Sequence, residues 1–218
     1  MSIGRRRMKI INLGARMNNK KIQLENCFIL LMGFPGVGKR TIGEALARKT
    51  NARFTGNHDL YDPFLKLFGD DYQAMWNLTP AMWEKLNAVQ DSYLSTIANV
   101  CANDDSFIFS EMMFDKDQYH QIFYNKVLDV VKKRNAHFFP VRLICDEDEL
   151  AKRVVSDDRK QFSNFKTRDT ELSRKRSRDE QAFYSHHENE ITIDNTHLSG
   201  DIVAEKIIEH IKKYIPTT

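Results

Sequence analysis

Hydrophobic and polar positions alternate along this chain in a pattern typical of a layered α/β protein. Short apolar runs of strand length recur, and each is followed by an amphipathic stretch of helix length. Because every predicted strand is followed by a helix, the pattern predicts a five-stranded parallel sheet covered by helices on both faces. The predicted strands are Cys27–Met32, Ala52–Thr55, Phe107–Ser110, Val141–Cys145 and Ile191–Asp194.

Helix starts are predicted from residues that favour the N-cap position. Asp62 and Thr79 each precede a proline, which is favoured at the first helical position. Asp62 therefore predicts a helix that begins at Pro63 and ends at Gly69. Asp115 is followed three residues later by Gln, and Asp146 by Glu, as in a capping box. The predicted N-caps are Asp62, Thr79, Asp115, Asp146 and Ser199.

The first predicted strand leads into a glycine-rich segment, Gly33–Thr41, and then into a helix. Glycines allow the backbone to approach an anion closely, and the loop N–H groups and the helix N-terminus converge on it. Lys39 adds a positive charge that can reach the terminal phosphates. The strand, loop and helix together predict a phosphate-binding loop of the Walker A type. Its predicted nucleotide contacts are Gly33, Pro35, Gly36, Val37, Gly38, Lys39, Arg40 and Thr41.

One position departs from the usual Walker A pattern. The residue after Lys39, normally a Ser or Thr whose hydroxyl meets Mg²⁺, is Arg40, and Thr41 follows it. Thr41 is predicted to serve Mg²⁺ either directly or through water. Glu111, which follows the third predicted strand, is a second candidate for the Mg²⁺ shell, although it is equally typical of a solvated loop residue.

The segment after the second predicted strand is polar and suits the phosphate acceptor. An acceptor hydroxyl needs a group that orients or deprotonates it near the γ-phosphate. Asp59 is the first candidate for this base and His58 the second, whereas Asp62 is better explained as a helix cap.

A long basic region, residues 156–178, resembles a lid that closes over phosphates. Arg153 and Arg159 are the predicted phosphate-facing arginines. The later basic cluster at 174–178 is compatible with a solvated helix face, a lid or a nucleic-acid contact.

Composition narrows the class of protein. The chain has 218 residues, 41% of them hydrophobic and 29% charged, with a net charge of +3. These values predict one α/β domain and give no argument for nucleic-acid binding. The three cysteines have no paired ligand spacing, and two of them, Cys27 and Cys145, lie in apolar strand-like runs. We therefore expect buried, reduced thiols, which suit a cytoplasm. No apolar run reaches the roughly 20 residues that would span a membrane.

The first 25 residues differ from the rest. They are basic, contain no acid before Glu25, and lack the apolar segment of a signal peptide. We therefore expect a flexible leader over 1–25 and a catalytic domain over 26–218. The latter would contain a helical acceptor-side insert at about 57–103 and a lid at about 156–178.

Together these features resemble the P-loop kinases of the shikimate, gluconate and adenylate kinase type. The phosphate loop carries the specific part of the match, with weaker matches at Asn57–His58, Leu150–Arg159 and Ile193–Thr196. The chain looks most similar to AAA-type small kinases whose acceptor is unassigned. The resemblance implies the three-layer P-loop NTPase fold with strand order 2-3-1-4-5. It also implies that ATP and Mg²⁺ are cofactors and that the adenine ring is contacted near Asn195 and Thr196.

The predicted function is ATP-dependent phosphotransfer to a small molecule or nucleotide by a monomer or homodimer. Two alternatives stay open at this point. A polynucleotide 5′-hydroxyl kinase would share the loop but needs a basic groove for the strand. A non-catalytic nucleotide-binding protein is the other, because Arg40 replaces the usual hydroxyl.

Overall fold

The structure is a computed structural model that describes residues 21–71, 73, 77–157, 159 and 163–216. Five parallel strands form one sheet in the order β2-β3-β1-β4-β5. This confirms the predicted fold class and strand order. The strands are β1 (Cys27–Gly33), β2 (Arg53–Gly56), β3 (Phe107–Met112), β4 (His137–Ile144) and β5 (Ile191–Asp194).

Helices follow the strands and cover both faces of the sheet. In the described part of the chain, two lie between β2 and β3 and two between β4 and β5. They are α1 (Lys39–Lys49), α2 (Asn57–Leu65), α3 (Pro80–Asn99), α4 (Gln118–Arg134), α5 (Glu147–Val154), α6 (Thr170–Asp179) and α7 (Gly200–Ile211).

Alternate residues of β1 enter the two layers that sandwich the sheet. Ile29 packs in a cluster with residues of α1 and α7, whereas Leu30 packs with residues of α3 and α4. Successive side chains of a strand point to opposite faces, so an unbroken apolar strand feeds two cores at once. This explains why every residue of β1 is buried.

The strand register sets where the functional residues lie. Gly33, the first residue of the phosphate loop, pairs with Met112 of β3, and Met32 pairs with Glu111. Because all strands run the same way, the segments that follow β1, β2, β4 and β5 meet at one edge. The phosphate loop therefore lies among the other loops from which a site can be built.

Three predicted boundaries differ from the structure. α2 begins at Asn57, with Gly56 as its N-cap, so Pro63 lies inside the helix and Asp62 is not a cap. Asp117, not Asp115, caps α4, because Asp115 instead accepts a hydrogen bond from the backbone N–H of Tyr184. β4 begins at His137 and passes through Pro140, a residue that normally argues against a central strand.

Glu111 also lies differently from its prediction, since it is within β3 rather than after it. The caps at Thr79, Asp146 and Ser199 are confirmed, because each side chain accepts a backbone N–H of its helix.

Part of the predicted leader packs against the domain. Ile22 forms a parallel bridge with Thr50, and Leu24 is fully buried in the same core as α1 and α7. The rest of the leader, residues 1–20, lies outside the described residues. Among the helices that the structure describes, none is both long and apolar enough to cross a bilayer.

Candidate active site

The backbone of the phosphate loop adopts the conformation that its glycines permit. Gly33, Gly36 and Gly38 all have positive φ, at 144°, 91° and 96°. A Cβ at Gly36 would lie 2.6 Å from Val154 Cγ1, so α5 leaves no room for a side chain there. Gly38 is the N-cap of α1 and makes no side-chain cap bond, so the N-terminus of that helix opens toward the loop. The loop has the form that an anion requires.

Lys39 lies folded across its own loop. Its Nζ donates to the carbonyls of Gly33 at 2.7 Å and Phe34 at 2.9 Å. Burial lowers the pKa of this ammonium to about 7. The nearby carboxylate of Glu111 opposes the shift, whereas the positive charges of Arg159 and Lys166 add to it. A bound phosphate would raise the pKa of Lys39 again, because a nearby negative charge favours the protonated form.

Two side chains hold the loop after β5 in place, one against the phosphate loop and one against α5. Asn195 is buried, and its Nδ2 donates to the Val37 carbonyl at 2.6 Å. Arg153 donates through Nη2 to the carbonyls of Asn195 at 3.0 Å and Thr196 at 2.8 Å, while its Nε bonds Glu149. Arg153 therefore acts as a clamp on this loop. The Thr196 hydroxyl is itself engaged with Asp194 and with the N–H of Asp146.

A cavity of about 650 Å³ opens over the phosphate loop. One wall comes from the loop and the start of α1. The opposite wall comes from the β2–α2 junction, α3 and the segment 163–167. Predicted site residues that line it are Pro35, Gly36, Gly38, Lys39, Arg40, Thr41, His58, Arg153, Arg159 and Asn195. The structure thus brings most of the predicted nucleotide and acceptor residues to one space.

A model of the AAA domain family matches residues 29–171, which include the loop, both acceptor-side helices and the start of α6. The chain belongs to the AAA domain family. No curated protein matches the sequence significantly.

Solved structures share the fold of this AAA domain at low sequence identity. A sugar kinase from Janibacter sp. HTCC2649 superposes with a TM-score of 0.55 at 15% identity, over 86% of this chain and 95% of that one. The APS kinase of Mycobacterium tuberculosis, in complex with AMPPNP and APS, superposes with a TM-score of 0.54 at 12% identity, over 87% of this chain and 99% of that one. A gluconokinase from Sinorhizobium meliloti 1021 superposes with a TM-score of 0.53 at 13% identity, over 87% of this chain and 94% of that one. The domain therefore has the P-loop kinase fold.

Arg40 connects the donor side of this AAA domain to the acceptor side. Its Nε bonds Glu44 Oε1 at 2.9 Å, and its Nη1 bonds Asp59 Oδ1 at 2.7 Å. Asp59 Oδ2 also accepts the N–H of Gly56 at 2.8 Å, which caps α2. Both oxygens of Asp59 are thus engaged. The residue that replaces the usual hydroxyl of the motif binds the first turn of α2 to α1.

His58 and Asp62 form a pair one turn apart on α2. His58 Nδ1 lies 2.8 Å from Asp62 Oδ1, and both side chains are largely buried. Burial lowers the pKa of His58, and its hydrogen bond to Asp62 opposes the shift. When Asp62 accepts the Nδ1 proton, the other ring nitrogen, Nε2, carries the lone pair. The geometry suits a neutral imidazole that can take up a proton in the cavity.

The segment 163–167, part of the predicted lid, packs onto the acceptor-side helices. Phe165 is 2% exposed and contacts a cluster of Tyr61, Leu65 and Leu86, with Trp83 at its margin. The Ser163 hydroxyl lies 3.4 Å from His58 Nδ1. This anchoring places Lys166 in the cavity wall. Trp76, which the sequence places with Trp83 in the predicted acceptor-side insert, lies outside the described residues.

Glu111 is a buried carboxylate held beside the phosphate loop. Its Oε1 accepts hydrogen bonds from Asn57 Nδ2 at 2.8 Å and from the Met112 N–H at 3.0 Å, and its Oε2 lies 3.4 Å from Gln90 Nε2. Burial raises its pKa to about 7, although these hydrogen bonds and Lys39 oppose the shift. Glu111 holds Asn57 in place at the start of α2.

The basic cluster of α6 is divided between structure and site. Arg174 bonds Asp148 at 2.7 Å and Arg178 lies 3.8 Å from Glu147, both in the first turn of α5. Arg176 lies over the Phe114 ring and lines the cavity. Two of the four basic residues thus bind the acidic end of a neighbouring helix, an arrangement that does not favour a nucleic-acid groove.

Sequence reasoning named Asn57 only as part of a polar segment and a family match, and placed Lys166 and Arg176 only in the basic region; it did not single out Phe165. One signal was present for Lys166: it directly follows Phe165, which with Phe162 is one of two aromatic residues in a mostly polar and basic segment. An aromatic residue in such a stretch commonly anchors that stretch to a core. Which core it would join was decided only by the tertiary fold.

Proposed function

We propose that this protein is an ATP-dependent phosphotransferase that acts on a hydroxyl group of a small molecule. The observation that carries the proposal is that Lys39 and the phosphate loop share one cavity with His58, which is paired with Asp62. A donor site and a base that face the same space are what direct phosphoryl transfer requires.

The donor side fits a nucleoside triphosphate on three grounds. The loop leaves room for no side chain at Gly36, its backbone has the positive φ values of an anion cradle, and Lys39 binds only carbonyls among its hydrogen bonds in the described residues. The Arg153 clamp on Asn195 and Thr196 supports base binding in the loop after β5. Adenine is our choice of base by analogy with the kinases of the same fold.

Magnesium is the expected companion of the nucleotide. The described residues contain no group of three His, Cys, Asp or Glu side chains that could hold a metal ion. A nucleotide site with few such side chains suits Mg²⁺, because this ion commonly binds through substrate phosphates and water with few protein ligands. Thr41 and Glu111 are the protein groups we assign to its shell. When bound, the ion would neutralise charge that develops on the phosphates.

On the acceptor side, we assign the base to His58 rather than Asp59. The acceptor hydroxyl gives its proton to His58 Nε2 as its oxygen bonds the γ-phosphorus, and the bond from that phosphorus to the bridging oxygen breaks to release ADP. Asp62 stabilises the imidazolium that forms. Asp59 is disfavoured because Arg40 and the Gly56 N–H already occupy its oxygens.

The decisive experiment compares wild type with Lys39→Met by calorimetric titration of Mg·ATP and by ADP release in a panel of hydroxylated metabolites. We expect Lys39→Met to lower turnover by at least about a hundredfold, with its thermal melting intact. Lys132→Met, an exposed residue in the last turn of α4, is the matched control. Absence of Mg·ATP binding by the wild type, or full turnover in Lys39→Met, would contradict the proposal.

A further inference from the structure

The sheet has an open edge along β5, away from the phosphate loop. β5 is the last strand on its side of the sheet, and in the described part of the chain no strand pairs with its outer edge. A second cavity, of about 360 Å³, opens along this edge and is bounded by all four residues of β5 and by side chains of α7. The outward backbone N–H and C=O groups of such a strand can pair with a strand of another chain.

The flank of α7 that faces α1 has its charges neutralised within the chain. Asp201 Oδ1 lies 3.3 Å from Arg48 Nη2, and Glu205 Oε1 lies 2.8 Å from Lys49 Nζ. Both acids belong to α7 and both cations to the last turn of α1. This flank is therefore used to hold the two helices together.

The flank of α7 that faces the β5 edge carries charges that are not neutralised in this way. Lys206, Glu209 and Lys213 are exposed and line the second cavity. None of the three forms an ion pair with any residue that the structure describes. Lys206 and Glu209 are three residues apart on α7, a spacing at which opposite charges on a helix can pair, but their side chains do not meet. Both charges are available to a partner.

An exposed apolar residue extends this flank. Ile202 precedes Lys206 by four residues, so the two lie on the same side of α7. The side chain of Ile202 is 45% exposed. The edge of β5, the side chains of Ile202, Lys206 and Glu209, and that of Lys213 in the turn after the helix together form what we call the β5–α7 surface.

The charge pattern of the β5–α7 surface is self-complementary. The cavity along it is lined by two lysines and two carboxylates, Asp194 and Glu209. A twofold axis that passes between Lys206 and Glu209 would place each Lys206 beside the partner's Glu209, so that one ion pair forms twice. An acidic or a basic peptide would satisfy charges of only one sign and would face a like charge at the other. The pattern therefore favours a second copy of the same chain.

We propose that two copies of this chain associate through the β5–α7 surface, with their β5 strands antiparallel and side by side. A twofold axis perpendicular to the sheet makes neighbouring β5 strands antiparallel and keeps both α7 helices on one face. Strand pairing and the two ion pairs are thus satisfied by a single rotation. Because a four-residue strand and one helix flank make a small interface, we expect a dissociable dimer.

Sedimentation velocity of the full chain over a range of protein concentrations measures this association. We expect a reversible equilibrium between monomer and dimer in the wild type. Glu209→Lys makes both positions of the ion pair basic, so we expect it to raise the dimer dissociation constant by about tenfold or more. Asp129→Lys, which makes a matched charge change at an exposed position of α4, should associate like the wild type. Thermal melting verifies that each variant is folded.

A charge-swap experiment tests the contact itself. Lys206→Glu makes both positions of the ion pair acidic, so this variant should also associate poorly with itself. When it is mixed with Glu209→Lys, opposite charges face each other at both positions, and we expect a heterodimer about as strong as the wild-type dimer. Structural damage in either variant would not be repaired by mixing.

Hydrogen exchange tests the part played by the strand without any substitution. The outward N–H groups of β5 gain partners in the proposed dimer, so exchange of the β5 amides should slow as the protein concentration rises. The amides of β2, the strand at the opposite edge of the sheet, serve as the control and should exchange at a constant rate.

The inference is overturned by any of four results. These are a monomer at protein concentrations up to about 1 mM, a dimer that Glu209→Lys does not weaken, a mixture of the two charge variants that forms no heterodimer, and β5 amides whose exchange is independent of concentration. None of these results concerns nucleotide binding or turnover, so the proposed kinase function is tested separately.

Discussion

The donor and acceptor sides of the cavity are built in different ways. The phosphate-binding part of the donor side is one continuous segment, Gly33–Thr41, whose main chain we expect to do most of the binding. The acceptor side consists of side chains from the β2–α2 junction, α3 and residues 163–167, which are far apart in sequence. A backbone site depends on φ values and glycines, whereas a side-chain site depends on which distant elements pack together. The two sides should accordingly respond differently to mutation.

The sharpest way to break this contrast is His58→Gln. We expect kcat to fall by about 10² to 10⁴, the usual contribution of a general base, with Mg·ATP affinity unchanged. In the wild type, kcat should fall as the pH drops through the lowered pKa of His58, because the protonated ring cannot accept a proton. That acid limb should vanish in the variant, as steady-state kinetics between pH 5 and 9 would reveal.

Asp59→Asn is the matched control for that prediction. It removes charge from a helix-capping carboxylate that binds Arg40, so we expect a loss of about 1 kcal/mol in unfolding free energy and a much smaller change in kcat. A rate loss in Asp59→Asn equal to that expected of His58→Gln, with His58→Gln still active, would transfer the base to Asp59.

Arg153→Met tests the donor side. The clamp on the carbonyls of Asn195 and Thr196 is lost, so we expect KM for ATP to rise about tenfold with little change in kcat. Lys152→Met, its exposed neighbour on α5, should behave like the wild type. A fall in kcat without a change in KM would instead make Arg153 a transition-state arginine of the lid, as the sequence first suggested.

Glu111→Gln tests the border between the two sides through stability rather than activity. The folded pKa of Glu111, about 7, exceeds the ordinary 4.5, so the folded state holds this proton more tightly. Its contribution to stability is therefore greatest below pH 4.5 and is lost as the pH rises toward 7. Because glutamine does not ionise, the variant lacks this pH-dependent loss of stability. We expect its free energy of unfolding to exceed that of the wild type by about 1–2 kcal/mol between pH 5 and 8.

Denaturant unfolding of both proteins at several pH values measures this gain. The gain is smaller than the pKa shift alone implies, since Lys39 loses its neighbouring carboxylate in the variant. Parallel stability profiles for the two proteins would mean that Glu111 is ionised at no cost to the fold.

Much of the fold was predictable because its signals are local. The five strands were predicted in their correct places because buried parallel strands are continuous apolar runs. β4 was predicted too short, since Pro140 interrupts its pattern while the pairing of Pro140 with Leu30 holds it in the sheet. The caps that failed, Asp62 and Asp115, are short polar residues whose side chains found better partners in His58 and Tyr184.

The phosphate loop follows from the amino-acid sequence alone, because its glycines, its lysine and the helix that starts there are consecutive and bind through their own backbone. The acceptor side was settled by the packing of the chain. No local pattern relates Phe165 to Leu86 or Lys166 to His58, and these pairs meet only because an apolar ring finds its burial between α2 and α3. Long-range burial, which is indifferent to sequence separation, positions the side chains of this wall of the cavity.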